Sequence, residues 1–150
     1  MRHVASDAAV GGSTFRYVET SALLAALLHL DRTADQALRG DGCRIASELT
    51  FVEALRVVVR RRVAGDLTAS EARSVIRRLR TFKGRCDTVS ISEDVLQRAT
   101  RPFPVEPVRT LDAIHLATAE LIDEQPQMVT IVTRDRRIRE NAIALGFMVE

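Results

Sequence analysis

Apolar positions in this chain fall into short β-branched runs that alternate with longer stretches of helical period. Phe15-Arg16-Tyr17-Val18 is short and β-prone. Thr20-Ser21 and the apolar run from Ala22 to Leu28 then predict a strand turning directly into a helix that reaches Leu30. Cys43 to Ala46 predicts a second strand, and Ser47 or Thr50 offers an N-cap for a long helix to about Val63, ended by Gly65-Asp66. Thr68 and Glu71 have the spacing of a capping box and open another helix to about Phe82. Thr88 to Ile91 alternates as a strand, and a short helix from Ser92 stops before Pro102 and Pro104. Thr110 to Ile122 predicts a helix with Leu111, Ile114, Leu116, Ala117 and Leu121 as its apolar positions. Met128 to Val132 has the β-branched character of a strand covered on both faces. Arg136 to Leu145 predicts the last helix, with Gly146 as C-cap and Phe147 to Val149 as a closing strand.

Strands alternating with helices imply an α/β fold with a central, mostly parallel sheet, in one domain over residues 15–150. Residues 1–14 lack a period, end in Gly11-Gly12-Ser13-Thr14, and are expected to form an arm outside that domain. The run from Ala22 to Leu28 is far shorter than the ~20 residues a membrane span needs, and no signal-peptide pattern precedes it, so a cytoplasmic protein is expected. Cys43 and Cys86 lack metal or redox spacing and read as buried, reduced thiols. The helix from Ser21 to Leu30 is apolar beyond a single stripe, which fits either a subunit interface, and hence a homodimer, or complete enclosure by the chain itself.

With 46% hydrophobic and 28% charged residues in 150, the composition is that of one ordinary globular domain and excludes collagen-like, disulfide-scaffold and disordered classes. Its net charge of +2 argues against a strongly electrostatic partner only until the charge is located. Residues 56–85 carry ten bases against Asp66 and Glu71, a local +8. Arg56 and Arg60, and likewise Arg73, Arg77 and Arg80, recur at helical spacing and would form stripes on two consecutive helices. Such stripes suit phosphates, an acidic partner protein or plain solvation, and the chain's 21 arginines against one lysine show a general bias toward arginine.

Ligands of open parallel sheets bind beyond the carboxyl ends of the strands. Glu19 follows the first strand and Asp135 the central apolar strand, while Glu53 and Asp112 lie near the starts of helices at the same edge. Each has a structural reading as well: Glu53 as capping-box partner of Thr50, Asp112 at the positive end of its helix, Asp135 as a helix cap. Glu19, followed by Thr-Ser with no basic partner, has no evident structural purpose. Clustered carboxylates need protons or cations, and an all-oxygen set suits Mg²⁺ or Mn²⁺, which points to metal-assisted hydrolysis of a phosphoester. His115 shares the helix face of Asp112 and reads as a packing or hydrogen-bonding residue; His29 reads as core-edge, and His3 lies in the arm. A phospho-receiver domain would need a lysine after a late strand, and a haloacid-dehalogenase-type phosphatase a D-x-D pair; neither is present.

Four segments, in order and in spacing, resemble the PIN-domain ribonucleases, and specifically the VapC-type toxins of bacterial toxin–antitoxin pairs. They are Tyr17-Val18-Glu19-Thr20-Ser21-Ala22-Leu23-Leu24, Ser47 to Arg56, Leu111-Asp112-Ala113-Ile114-His115-Leu116-Ala117 and Val132-Thr133-Arg134-Asp135. The resemblance implies an α/β/α sandwich with an acidic Mg²⁺ or Mn²⁺ site that cleaves RNA, usually as a homodimer silenced by a VapB-like antitoxin. By position, Glu53, Asp112 and Asp135 match the family's metal-site acids, and Ser21 and Thr133 its supporting hydroxyls. Glu19 stands where the family has aspartate, and its extra methylene displaces the carboxylate by roughly a bond length. Two functions follow as expectations. One is a metal-dependent endoribonuclease with Glu19, Glu53, Asp112 and Asp135 as catalytic metal ligands and Arg56 and Arg60 on the RNA. The other is a non-catalytic PIN-like module that binds RNA or an antitoxin-like partner, its site detuned by Glu19.

Overall fold

The computed structural model describes residues 14–150, so the expected arm lies almost wholly outside the described residues. The chain runs β1 (Phe15–Val18), α1 (Thr20–Leu27), α2 (Arg32–Arg39), β2 (Cys43–Ser47), α3 (Glu48–Ala64), α4 (Ala69–Lys83), β3 (Asp87–Val89) and α5 (Glu93–Ala99). It continues with α6 (Thr110–Glu120), a 3-10 turn (Pro126–Met128), β4 (Val129–Val132), α7 (Arg136–Ala144) and β5 (Met148–Val149). The five strands form one sheet in the order β3-β2-β1-β4-β5, parallel at every pairing. β1 and β4 occupy the middle, paired from Phe15 with Val129 to Val18 with Val132, so Glu19 and Thr133 leave the sheet side by side.

Side-chain alternation divides the core. Val18, Ala46 and Val132 face a cluster formed with α1 to α4, whereas Tyr17, Ile45 and Ile131 face a cluster formed with α5 to α7. Each central strand is thus covered on both sides, as the apolar run at β4 predicts. Local chemistry explains the long helical hairpin: Ser47 caps α3 through Leu49 N, Gly65 closes it at φ 84°, and Thr68 and Glu71 complete the capping box of α4. The structure selects Ser47 rather than Thr50 as the cap of α3. Thr50 is buried and its hydroxyl donates to Val18 O instead (3.4 Å).

Several expectations are corrected. The first helix ends at Leu27, not Leu30, and the sequence reading missed α2, which is capped by Asp31 and rests on Ala34, Ala37 and Leu38 alone. α1 buries Ala22, Leu23, Ala26 and Leu27 within the chain's own core, with Leu24, Ala25 and Leu28 half-buried, so most of its apolar excess is spent internally. Cys43 is exposed, not buried, because it starts an outer stretch of β2; Cys86 is half-buried, with its thiol pushed up to about 12 by burial. His29 is exposed at φ 56° just past α1, where it meets Arg78 Nη1 at 2.9 Å. The third strand spans Asp87–Val89 rather than reaching Ile91, and Phe147 is buried outside the last strand. Among the described residues no helix is long and apolar enough to cross a membrane.

Candidate active site

At the carboxyl edge of the sheet, Glu19, Glu53, Asp112 and Asp135 border one cleft of about 550 Å³, together with Arg56 and Arg60 of α3 and apolar Leu24, Val52 and Leu111. The topology accounts for the gathering. β1 and β4 deliver Glu19 and Asp135 as the residues that cap α1 and α7, and α3 starts directly from neighbouring β2. Asp112 lies in the first turn of α6, on the opposite helical layer from Glu53.

Glu19 overturns the expectation that it serves no structural purpose. Only 5% exposed, its carboxylate folds back over α1: Oε1 accepts from Ser21 N (3.0 Å), and Oε2 accepts from Ser21 Oγ and from Thr133 Oγ1 (2.8 Å). Ser21 Oγ accepts in turn from Arg134 N (2.8 Å), which ties the end of β4 to the start of α1. The longer side chain thus does the work of an N-cap, and Ser21 and Thr133, expected as supporting hydroxyls, are the groups that hold it.

Glu53 does not close a capping box with Thr50. Its Oε2 accepts from Thr20 Oγ1 (2.6 Å) and from His115 Nε2 (2.7 Å). His115 is 1% exposed, with Nδ1 2.9 Å from Tyr17 Oη and Nε2 also 4.0 Å from Glu19 Oε1. With Nε2–H given to Glu53, Nδ1 accepts from the Tyr17 hydroxyl, and one tautomer satisfies both bonds. Burial alone would raise the Glu53 pKa, but the His115 and Thr20 hydrogen bonds outweigh it and hold the carboxyl below its ordinary value. Burial, assisted by the charge of Glu19, pushes the Tyr17 phenol well up, so it stays a neutral donor.

Asp135 caps α7, its Oδ1 accepting from Arg137 N (2.8 Å) and Ile138 N (3.1 Å) as the structural reading expected. Asp112 is the exception: its Oδ2 is buried and has no hydrogen-bond partner among the described residues. Burial raises its pKa, and the charges of Asp135 and Glu19 raise it further. Among the described residues none of the four acids is ion-paired to arginine or lysine. Four carboxylates, an orphaned buried oxygen and no basic partner are a donor set that fits a hard divalent cation. In arrangement, no three His, Cys, Asp or Glu side chains among the described residues close around a single point as they stand. Glu19 and Glu53 are turned to their protein partners.

Tyr17, Thr20 and Arg134 take part in the site and escaped the sequence reading. The only signal for Thr20 was its place beside Glu19, whereas the burial of Tyr17 against α6 has no local signature.

A PIN domain family profile matches residues 16–144. The chain belongs to the PIN-domain family. It is 32% identical over 137 residues to Ribonuclease VapC35 of Mycobacterium tuberculosis, in strains H37Rv and CDC 1551, covering 89% of this chain and 93% of that protein. Among solved structures, M. tuberculosis VapC20, a sarcin-ricin loop cleaving toxin, superposes with a TM-score of 0.61 at 15% identity, covering 89% of this chain and 96% of that one. VapBC-1 of nontypeable Haemophilus influenzae gives 0.58 at 10% identity, with 91% and 96% covered. VapBC2 of Rickettsia felis gives 0.59 at 11% identity, with 91% and 97% covered. At those identities the structures establish the PIN fold, and the VapC35 match places the chain among VapC relatives.

Proposed function

We propose that this PIN-domain protein is an endoribonuclease, the toxin component of a toxin–antitoxin pair, that hydrolyses RNA phosphodiester bonds with Mg²⁺ or Mn²⁺ at the acidic cleft. The observation that carries the reading is the set of four carboxylates on one cleft, in which Asp112 Oδ2 is buried without a partner among the described residues. A 32% identical ribonuclease spanning nearly the whole chain supports RNA as substrate. Glu19, Glu53, Asp112 and Asp135 would hold the cation. When bound, the ion supplies charge neutralisation on the phosphoryl oxygens and lowers the pKa of the attacking water.

The chain's own residues do the rest. Arg56 and Arg60, on the Glu53 face of α3, bind backbone phosphates and bring a polyanion to an acidic centre that would otherwise repel it. Tyr17 and His115 orient the Glu53 carboxylate, and Ser21 and Thr133 hold Glu19 and with it the β1 and β4 ends in register. Apolar Leu24, Val52 and Leu111 on the cleft wall give nucleobases a surface to lie against. A cytoplasmic site of action, a VapB-like antitoxin partner and a homodimer belong to the same reading, with the VapBC structural neighbours in support of the partner.

One observation favours a second reading. Both oxygens of Glu19 and Oε2 of Glu53 are engaged by protein donors, and among the described residues no three ligands converge, as expected of a PIN-like module that binds RNA or an antitoxin-like partner without cleaving. Incubation of the purified protein with a labelled single-stranded RNA in Mn²⁺ separates them. Cleavage that chelator abolishes and that falls more than about 100-fold in Asp112→Asn supports the nuclease. Full cleavage in chelator sinks the metal mechanism, and salt-sensitive binding without cleavage establishes the binding module.

A further inference from the structure

A second cleft of about 550 Å³ adjoins the acidic one and shares Asp135 with it. It is lined by Arg109, Arg136 and Arg137, and by the acids Glu106 and Glu140. Both of those acids already have partners of their own. Glu106 accepts from Phe103 N (2.9 Å) and Val108 N (2.6 Å), and Glu140 pairs with Arg136 Nε (2.9 Å). Arg109 and Arg137 have no acidic partner within salt-bridge distance among the described residues, and Arg109 precedes α6 without a side-chain cap bond. Arg109 is close enough to Asp112 for its charge to act on that carboxyl.

The placement gives these residues a purpose. Arg56 and Arg60 belong to the layer of α1 to α4, whereas Arg109 and Arg137 stand at the starts of α6 and α7 in the other layer, with the four acids at the junction. We infer that Arg109 and Arg137 form a phosphate cradle for the stretch of single-stranded RNA that leaves the acidic cleft on the side away from Arg56 and Arg60. A polyanion laid across the carboxylates is then gripped on both flanks, and the scissile linkage is held over the acids by contacts that take no part in the chemistry. Guanidinium groups that form no ion pair with a carboxylate suit backbone phosphates, which carry no sequence information. The inference rests on the ribonuclease reading above.

Arg109→Gln/Arg137→Gln is compared with wild type and with a control, Arg32→Gln/Arg101→Gln, which removes the same charge from exposed positions that line neither cleft. Binding of a fluorescein-labelled 12-nucleotide RNA is followed by anisotropy in chelator across a salt series, and cleavage in Mn²⁺. The cradle variant is expected to lose about tenfold in affinity and to flatten the log–log salt slope by about 1.4, the value for two lost contacts to a single strand. A neutral methylphosphonate at one linkage on that side should slow wild type and leave the cradle variant unaffected. A cradle variant that binds and cleaves like the control overturns the cradle while leaving the nuclease reading intact. Wild type that neither binds nor cleaves RNA overturns both. Equal capture of a poly-glutamate peptide, lost in the same variant, overturns the RNA assignment in favour of an acidic protein partner.

Discussion

The two halves of the acidic cleft are built on opposite electrostatic terms. On the side of α1 and α3, Glu19 and Glu53 each accept two or more hydrogen bonds, and Glu53 is held below its ordinary pKa by His115 and Thr20 against the effect of burial. On the side of α6, the pKa of Asp112 is raised by burial and by the charges of Asp135 and Glu19, and one of its oxygens is buried with no partner among the described residues. The first half is stable as it stands. The second stores an unfavourable interaction that only a proton or a cation relieves, so the demand for a counter-charge is concentrated at one aspartate rather than shared equally.

The largest test of this contrast is at Asp112 itself. A carboxyl with a raised folded pKa lends its stability in the protonated form, present at low pH and lost as pH rises through the folded value. Asp112→Asn is therefore expected to be more thermostable than wild type at neutral pH, with the advantage shrinking as pH falls through the raised value toward the ordinary aspartate value and gone below it, while RNA cleavage is lost. Melting curves across pH check it. A variant less stable than wild type at neutral pH would break the contrast.

The satisfied half is probed through the groups that satisfy it. His115→Gln and Tyr17→Phe should each reduce Mn²⁺ affinity and cleavage about 10- to 100-fold, because both loosen the support of Glu53. Calorimetry with Mn²⁺ reads the effect without relying on turnover, and unchanged affinity in both variants would leave Glu53 independent of its partners. The smallest effect is expected for Glu19→Asp. Aspartate is itself a favoured N-cap, so stability should stay within about 1 kcal/mol of wild type. The shorter arm caps α1 through one oxygen and frees the other for the cleft, which should raise Mn²⁺-dependent cleavage about tenfold. A rate equal to or below that of wild type would show that the glutamate geometry is the working one.

The alternation of strand and helix was legible because each element is built from contiguous residues with their own period and caps. The capping box at Thr68 and Glu71, the strand at Val129–Val132 and the gathering of four acids at one sheet edge all follow from such local signals. α2 was not, since a short helix with only Ala34, Ala37 and Leu38 on its buried face shows too few apolar positions to set a period. Nor were the roles of Glu19 and Glu53. Their partners Thr133 and His115 are more than 60 residues away in sequence, so the choice between capping, pairing and ligation is made by contacts that exist only in the folded chain.

The central pairing of β1 with β4 joins segments more than 100 residues apart in the chain. Until Val129–Val132 has been made, the inner edge of β1 lacks its neighbour, and Glu19 lacks the Thr133 hydroxyl that holds it. At roughly 5–20 residues per second, the stretch between these strands takes several seconds to emerge. The acids at positions 19, 53 and 112 are therefore all present well before the sheet that aligns them is whole. The cleft is therefore completed only once β4 has been made, and a nascent chain that stops short of it carries three of the four acids without the sheet that gathers them.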